Sequence, residues 1–242
     1  MNRLFCFSTG NIWRLTEGKN RAGLIDKIKE LDIDGVELIF GSKEGLYNFS
    51  LKSSQLSFLR KLDYVSIHAP FRLASNAAGQ AEVIKQLDII QIIYNRINAK
   101  NVIIHPNDLP PPEVLEAYNM QFSTENLPKK RSITIRKLGF ILKKYPKMGL
   151  CLDVSHAYLW SSQETSKLVK KFSKKIMQVH FSGTYRKQDH LSLQKVTPVF
   201  LKSIEPIKKL GVPIIIEEDM NFKDDIDLGK IKKEVEYIKS LF

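Results

Sequence analysis

The sequence contains few cysteines and no long apolar stretches. Only two of the 242 residues are cysteine, Cys6 and Cys151, and each lies inside an apolar run. This spacing is neither a disulfide framework nor a C-x-x-C motif, so we expect two buried thiols. No run approaches the roughly 18 to 20 apolar residues of a membrane span, and MNRLFCFSTGNIWRL has no secretory apolar region. We therefore predict a soluble, cytoplasmic protein with no membrane partner.

The glycine motifs of nucleotide-binding folds are also missing. Neither G-x-G-x-x-G nor G-x-x-x-x-G-K-[ST] follows any apolar run. No internal repeat, low-complexity tract or Gly/Ser-rich linker divides the chain. Because 242 residues can bury the core of one α/β barrel, we predict a single domain over residues 1–242.

Acidic residues are scarce relative to basic ones. The chain has 26 Asp and Glu against 38 Lys and Arg, a formal net charge of +12. Such an excess fits an anionic partner, because Lys and Arg neutralise phosphates and release their counterions. The same lysines alternate with apolar positions in RSITIRKLGFILKKY and IKKEVEYIKS, where they also suit a solvated outer helix face. Charge alone leaves both interpretations open.

Eight apolar, β-branched runs recur along the chain and predict strands. They are Leu4–Ser8, Gly35–Phe40, Tyr64–Ala69, Asn101–Pro106, Met120–Asn126, Gly149–His156, Ile176–Gly183 and Val212–Asp219.

Segments with helical periodicity lie between these runs, for example AGLIDKIKEL, SSQLSFLRKL, AEVIKQLDIIQIIYNRI and VTPVFLKSIEPIKKL, and IKKEVEYIKSLF closes the chain. The fourth helix is the shortest, since PPPEVLEAY leaves room for only two turns after its prolines. Eight strands alternating with helices predict an α/β fold, a single (β/α)8 TIM barrel, with an open doubly wound sheet as the alternative.

Histidines and acids collect where these predicted strands end. All five histidines of the chain belong to this set, which comprises His68, His105, Glu125, Asp153, His156, His180, Glu217 and, in the loop after the seventh run, His190. A lone His68 would be an ordinary core residue. In a parallel barrel, however, every carboxyl-terminal strand end faces one rim, where the active sites of such enzymes lie. We therefore interpret the set as ligands, with Glu37 as a further rim acid of unassigned role.

Imidazoles and carboxylates without cysteine are the donors that zinc, manganese and similar divalent ions bind. Without an ion, so many acids would repel one another. In LDVSHAY, Asp153 and His156 stand three residues apart where a strand gives way to a turn, so the two can serve neighbouring ions. The sequence therefore predicts a metal centre at the rim.

The ordered motifs SIHAPF, VIIHPND, STENLP, LCLDVSHAY, QVHFSG, QDHLSL and PIIIEED resemble the xylose isomerase-like barrel superfamily, and most closely its endonuclease IV branch. The similarity runs from the third strand to the eighth. It implies a cluster of three zinc ions beside the scissile phosphate of damaged DNA.

Carried over by motif, the resemblance implies a ligand set for each ion. His68 and His105 hold the first ion together with Glu125, which bridges to the second. The second ion is completed by Asp153, His180 and Glu217, and the third is held by His156 and His190. In this interpretation Glu125 also orients the bridging nucleophile, so that Glu125 and Glu217 are the catalytic residues.

Two features depart from the pattern of that branch. Gln188 stands where an aspartate normally completes the third site, and either Asp189 replaces it after a one-residue shift or the centre holds two ions. The first strand, FCFSTGNIW, also lacks the histidine, serine and paired-glycine pattern of the DNA-repair enzymes. The implied substrate is therefore a phosphodiester, with abasic-site DNA as one candidate.

Lys129, Lys130 and Arg186 are candidate phosphate contacts, although such residues are commonly just solvated.

Two other function classes remain open from the sequence. Sugar isomerases and epimerases of the same superfamily hold one ion with a Glu, Asp, His, Glu quartet, which Glu125, Asp153, His180 and Glu217 match, and their two glutamates shuttle a proton. The extra histidines favour hydrolysis, because a one-ion isomerase has less need of them. The third class is a basic barrel that binds nucleic acid without catalysis; the near-complete ligand set argues against it.

Overall fold

A computed structural model describes residues 3–16, 21–74, 79–220, 222 and 227–242. Eight parallel strands close into a barrel, and helices connect successive strands. Around the barrel the strands follow the order Phe5–Ser8, Ile214–Ile216, Ile176–Phe181, Gly149–Asp153, Phe122–Glu125, Asn101–Ile104, Tyr64–His68 and Gly35–Ile39. The predicted (β/α)8 TIM barrel is confirmed, and the open sheet is excluded. None of the helices in the described ranges combines the length and hydropathy that a bilayer crossing requires.

The eight predicted strands are the eight barrel strands, each shorter than its apolar run. The strands are β1 Phe5–Ser8, β2 Gly35–Ile39, β3 Tyr64–His68, β4 Asn101–Ile104, β5 Phe122–Glu125, β6 Gly149–Asp153, β7 Ile176–Phe181, β8 Gly183–Tyr185, β9 Gln188–Leu191 and β10 Ile214–Ile216. Strands β8 and β9 stand outside the barrel as an antiparallel hairpin.

The predicted helices are present, with shorter ones added between them. The helices are α1 Gly23–Ile28, α2 Lys43–Tyr47, α3 Ser53–Lys61, α4 Gln80–Ile97, α5 Pro112–Glu116, α6 Ile135–Lys144, α7 Val154–Tyr158, α8 Glu164–Phe172, α9 Pro198–Ser203 and α10 Leu228–Ser240. Short 3-10 turns span Thr9–Thr16, Lys129–Arg131, Leu193–Lys195 and Glu205–Lys209. The segment after β9 is not one helix, because Pro206 has no N–H to continue α9.

Two rim residues lie where the strands end. The strand was expected to give way to a turn between Asp153 and His156, and β6 does end at Asp153, whose carboxylate accepts a 2.6 Å hydrogen bond from the backbone N–H of His156 and caps α7. His190 was expected in a loop, but it lies in β9. Both residues therefore sit on short ordered elements at the rim.

The two faces of the barrel strands differ in chemistry. Outward-facing residues such as Phe7, Val36, Ile67 and Leu152 pack with the helices into one buried apolar cluster. Alternate residues point into the barrel and are largely polar; they include Glu37, Ser66, Asn101, Ser123, Gln178 and His180, all fully buried. Cys6 and Cys151 are also buried there as free thiols, as predicted. The period of two along each strand thus separates the apolar core from a polar interior.

Candidate metal centre

The barrel brings all eight predicted site residues to one end. They come from different elements: His68 from β3, His105 after β4, Glu125 from β5, Asp153 from β6, His156 from α7, His180 from β7, His190 from β9 and Glu217 after β10. Parallel strands that end at one rim produce this convergence.

Glu125 is the centre of the cluster, and its two oxygens face different histidines. Its Oε2 lies 3.3 Å from His105 Nε2 and 3.7 Å from His68 Nε2. Its Oε1 lies 3.1 Å from His156 Nδ1 and 3.5 Å from His180 Nδ1. A single carboxylate therefore has one oxygen available to each of two adjacent sites.

Within the described residues, the donor atoms form three groups, and inside each group they lie within 4.8 Å of one another. The groups are His68, His105 and Glu125; Glu125, Asp153, His180 and Glu217; and Asp153, His156 and His190. We call the second group the quartet. Because Glu125 and Asp153 each belong to two groups, the three groups form one continuous chain of donors.

The quartet has the donor chemistry of a cation site. Glu125 Oε1, Asp153 Oδ2, His180 Nδ1 and Glu217 Oε2 are each buried and lack a hydrogen-bond partner. His180 Nδ1 and Glu217 Oε2 are only 2.7 Å apart, yet they do not meet in hydrogen-bond geometry. Buried polar atoms without partners are costly. One such atom from each member of the quartet fits a divalent cation held among nitrogen and oxygen ligands.

Three of the histidines are held by backbone carbonyls. The Nδ1 atoms of His68, His156 and His190 lie 3.0, 3.1 and 2.9 Å from the carbonyl oxygens of Ala69, Asn126 and Glu217. Because a carbonyl oxygen only accepts hydrogen bonds, these contacts place a proton on each Nδ1 and leave each Nε2 free to bind a metal.

His180 has the opposite orientation, with its Nδ1 in the quartet and its Nε2 toward the barrel interior. That Nε2 lies 3.0 Å from Oε1 and 3.3 Å from Oε2 of Glu37. Glu37 also accepts hydrogen bonds from Ser66 Oγ (2.8 Å) and Gln178 Nε2 (2.7 Å), and Tyr64 donates to Gln178 Oε1 (2.9 Å). A carboxylate behind a histidine fixes its tautomer and raises its basicity as a ligand. Glu37, which the sequence left without a role, is placed to do this.

We expect Glu37→Gln to weaken divalent-ion binding at the quartet by about 10- to 100-fold, since partners of this type have that effect on metal affinity. Glutamine keeps the size but loses the charge behind His180. Competition titration of zinc against a chromophoric chelator measures the change. Tyr64→Phe, which removes only the hydrogen bond to Gln178, is the control and should bind zinc like the wild type. Equal affinities for both variants would contradict this role.

The electrostatics of the metal-free site favour the charged forms of Glu125 and Glu217, whereas burial raises the pKa of Asp153 to about 6. Burial opposes ionisation of Glu125, but its contacts with four histidines outweigh burial and hold its pKa well below the ordinary value. Burial likewise opposes ionisation of Glu217, and His180 outweighs it and lowers the pKa of Glu217 to about 2. Burial disfavours the charged form of His156, but Asp153 and Glu125 raise its pKa to about 10. A divalent ion that binds here therefore displaces imidazole protons.

The β8–β9 hairpin delivers His190 to the site. Its turn residues Arg186 and Lys187 have φ of 47° and 67°, and His190 itself has φ of 55°, a region that non-glycine residues rarely occupy. The hydroxyl of Ser155 accepts a 3.2 Å hydrogen bond from the His190 backbone N–H and lies 2.8 Å from Thr184 Oγ1. These contacts hold the strained residue, and its Nε2 lies 3.2 Å from His156 Nε2.

The carboxylate that clusters with His156 and His190 is Asp153. Gln188 pairs with Tyr185 at the hairpin turn. Asp189 lies 3.8 Å from His156 Nε2 through Oδ2, but it is not one of the three clustered donors. Asp189 was one of two alternatives for this third site, and it remains a candidate ligand beside Asp153.

The donor groups open into a cavity of about 1050 Å³. Of the three predicted phosphate contacts, Lys130 lines it, whereas Lys129 and Arg186 do not. The sequence missed three further cations in the wall, Lys43, Arg72 and Arg131. Phe71, which is 48% exposed, stacks on His105 with ring centroids 5.1 Å apart. The floor of the cavity thus carries metal donors. Its wall carries four cations, one aromatic ring and the acids Glu44, Glu82, Asp108 and Asp189.

No protein-family model and no curated protein match this sequence. Solved structures do match over the whole chain. A D-tagatose 3-epimerase-like protein shares 20% identity with a TM-score of 0.69, covering 98% of both chains. Endonuclease IV from Thermus thermophilus shares 15% identity with a TM-score of 0.69 and the same coverage. A xylose isomerase domain-containing protein from Salmonella typhimurium shares 18% identity with a TM-score of 0.67, covering 100% of this chain and 98% of that one. At these identities the similarity establishes the TIM-barrel fold.

Proposed function

We propose that this protein is a metal-dependent phosphodiesterase that holds two or three divalent ions, with zinc as the favoured ion and manganese as the alternative. The observation that carries the proposal is the set of three donor groups joined through Glu125 and Asp153. A one-ion isomerase needs only the quartet and would leave the other two groups without a purpose. Adjacent ion sites that share carboxylates are typical of enzymes that hydrolyse phosphate esters.

Bound ions of this kind lower the pKa of water and neutralise charge on phosphate oxygens. The chain's own residues would position the reactants. Glu125 directs one oxygen toward His105 and the other toward His156, so it is placed to orient an attacking water between the groups. Glu217 belongs to the same quartet, with its Oε2 2.7 Å from His180 Nδ1. These two glutamates are the catalytic residues of the proposal.

The substrate in this proposal is an anionic phosphodiester, and abasic-site DNA is the first to test. Lys43, Arg72, Lys130 and Arg131 in the cavity wall supply charge for phosphate oxygens. The cavity is also large and open enough for part of a polymer. The fold shared with endonuclease IV supports DNA as a candidate partner.

A sugar epimerase is the second candidate, because the quartet by itself is a complete one-ion site. Glu125 and Glu217 belong to the same group, so they would exchange a proton with a ketose on either side of its reacting carbon. The shared fold with the D-tagatose 3-epimerase-like protein is compatible with this chemistry.

Purified protein loaded with zinc should cleave an abasic-site oligonucleotide or bis(p-nitrophenyl) phosphate, and chelation should abolish the cleavage. Elemental analysis should find two or three ions per chain. One ion per chain with epimerisation of ketoses would establish the second candidate. Binding of DNA without turnover of any phosphodiester or ketose would leave a non-catalytic barrel and refute both.

The variant His190→Ala separates the two enzyme classes. It removes one donor of the group formed with Asp153 and His156, and it leaves the quartet intact. We expect it to lower the number of bound ions and the rate of phosphodiester cleavage, whereas an epimerase would keep its rate. Gln188→Ala, in the same strand but outside the donor groups, is the matched control and should retain both the ions and the activity.

A further inference from the structure

Helices α6 and α8 and the residues that follow them concentrate positive charge on one side of the barrel. Residues 133–175 contain ten Lys and Arg and only two acidic residues, a net charge of +8 out of +12 for the whole chain. We define the basic face as the exposed cations of this segment other than Lys167, which pairs with Glu164: Arg136, Lys137, Lys143, Lys144, Lys147, Lys170, Lys171 and Lys174. Two-thirds of the net charge thus lies in less than a fifth of the sequence.

Acidic neighbours do not neutralise this face. Of the two acids in the segment, Asp153 is buried in the metal centre, and Glu164 pairs with Lys167 at 3.4 Å. Across the described part of the chain, no carboxylate forms a salt bridge with any cation of the basic face. Helix α10, by comparison, carries the exposed Glu236 among its lysines. A solvated surface of ordinary composition mixes both signs, and the basic face does not.

The cations of α6 and α8 form one surface. A Cβ atom on Gly139 of α6 would lie 3.4 Å from Lys171 Nζ of α8, so this lysine lies across the neighbouring helix. Phe140 is 61% exposed between the charged rows, with the guanidinium of Arg136 5.7 Å from its ring centroid. An exposed aromatic ring among cations offers stacking as well as charge to a ligand.

The basic face continues from the mouth of the metal cavity. Lys130 and Arg131 line the cavity, and the chain then passes into α6 after three further residues. Along α6, a helix of ten residues and so about 15 Å long, charge extends from Arg136 to Lys144. Lys147 precedes β6 and therefore lies toward the opposite end of the barrel. The cations thus form a track that leads from the site down the side of the molecule.

We propose that the basic face binds the phosphate backbone of a nucleic acid, outside the metal cavity and in continuity with it. A polymer with regularly spaced charges matches a linear track that begins at a catalytic cavity, whereas a small anionic substrate would reach only the wall of the cavity. Placing the polymer's reactive segment in the cavity rests on the proposed function. Binding to the face does not, because none of its cations belongs to a donor group.

Fluorescence anisotropy with a labelled 30-nucleotide DNA, single-stranded and duplex, tests the proposal across a series of salt concentrations. The triple variant Lys143→Gln, Lys144→Gln, Lys171→Gln should bind more weakly. For duplex DNA the slope of log K against log salt should flatten by about 0.9 for each phosphate that the variant no longer neutralises, and for single strands by about 0.7. The triple variant Lys230→Gln, Lys232→Gln, Lys233→Gln on α10 removes the same charge and should bind like the wild type.

Equal affinity and equal salt slope for the two triple variants would overturn the proposal. So would a face variant that loses binding to vesicles of anionic lipid while its binding to DNA is unchanged. Hydrolysis of bis(p-nitrophenyl) phosphate, which is too small to reach the face, should be the same in both variants. If the wild type hydrolyses nothing but its DNA binding still depends on the face, the proposed function fails and this inference stands. If hydrolysis proceeds and the face variant binds DNA normally, the proposed function stands and this inference fails.

Discussion

Replacing Glu125 with glutamine is expected to lower kcat for phosphodiester cleavage by about 10²- to 10⁴-fold, the range associated with loss of a positioned acid–base group. Glu125 contacts four histidines and belongs to two donor groups. The amide keeps the size of the side chain but presents only one acceptor oxygen, so it cannot serve both groups. Steady-state kinetics with bis(p-nitrophenyl) phosphate measures the fall. Elemental analysis of the same preparation should show fewer bound ions than the wild type.

The control for this substitution is Glu236→Gln on the exposed side of α10. It changes the net charge by the same amount, but at a position far from the rim. It should keep wild-type kinetics and metal content. Circular dichroism and thermal unfolding should show that Glu125→Gln is folded, because the apolar cluster around the barrel does not include Glu125. Retention of full activity by folded Glu125→Gln would refute the proposed role.

Removing the metal ions is expected to lower the melting temperature by about 8 to 16 °C for each tightly bound ion. A ligand that binds only the native state at 1,000 times its Kd adds about 4 kcal/mol to the free energy of unfolding. Each kcal/mol corresponds to about 2 to 4 °C in a protein of this size. The physical cause is the group of carboxylates formed by buried Glu125 and Asp153 and half-buried Glu217, which an ion would neutralise.

Thermal unfolding with and without a chelator, followed by stepwise return of zinc, measures this effect. The melting temperature should recover as two or three equivalents are added. In His190→Ala, only the rise in melting temperature due to the ion held by Asp153, His156 and His190 should be lost. A melting temperature that responds neither to the chelator nor to added zinc would show that these side chains do not hold a cation.

The barrel and its donors were predictable because both depend on periodic patterns. Apolar runs at regular intervals identified all eight barrel strands, and polar residues at the ends of those runs identified the side chains that meet at the rim. In a parallel barrel all strands end at the same rim. The sequence therefore predicts that His68 and Glu217 lie near each other, although they are far apart along the chain. The exact ends of the strands depended on local capping, as at Asp153.

The remaining features depend on contacts that a linear pattern does not contain. Glu37 was visible as an acid after an apolar stretch, but its pairing with His180, 143 residues away, requires the geometry of the closed barrel. The β8–β9 hairpin has strands of three and four residues, too short for a clear alternation of polar and apolar side chains. The position of Asp189, 3.8 Å from His156, likewise depends on that hairpin.

The polar interior of the barrel has a consequence for how this protein tolerates change. The apolar residues that stabilise the fold point outward to the helices, whereas Ser66, Ser123 and Gln178 point inward and support the histidine layer above them. Mutations inside the barrel can therefore retune ion affinity, or exchange one ion for another, while the hydrophobic layer stays intact. In this architecture, new chemistry can be acquired from within the barrel at little cost to folding.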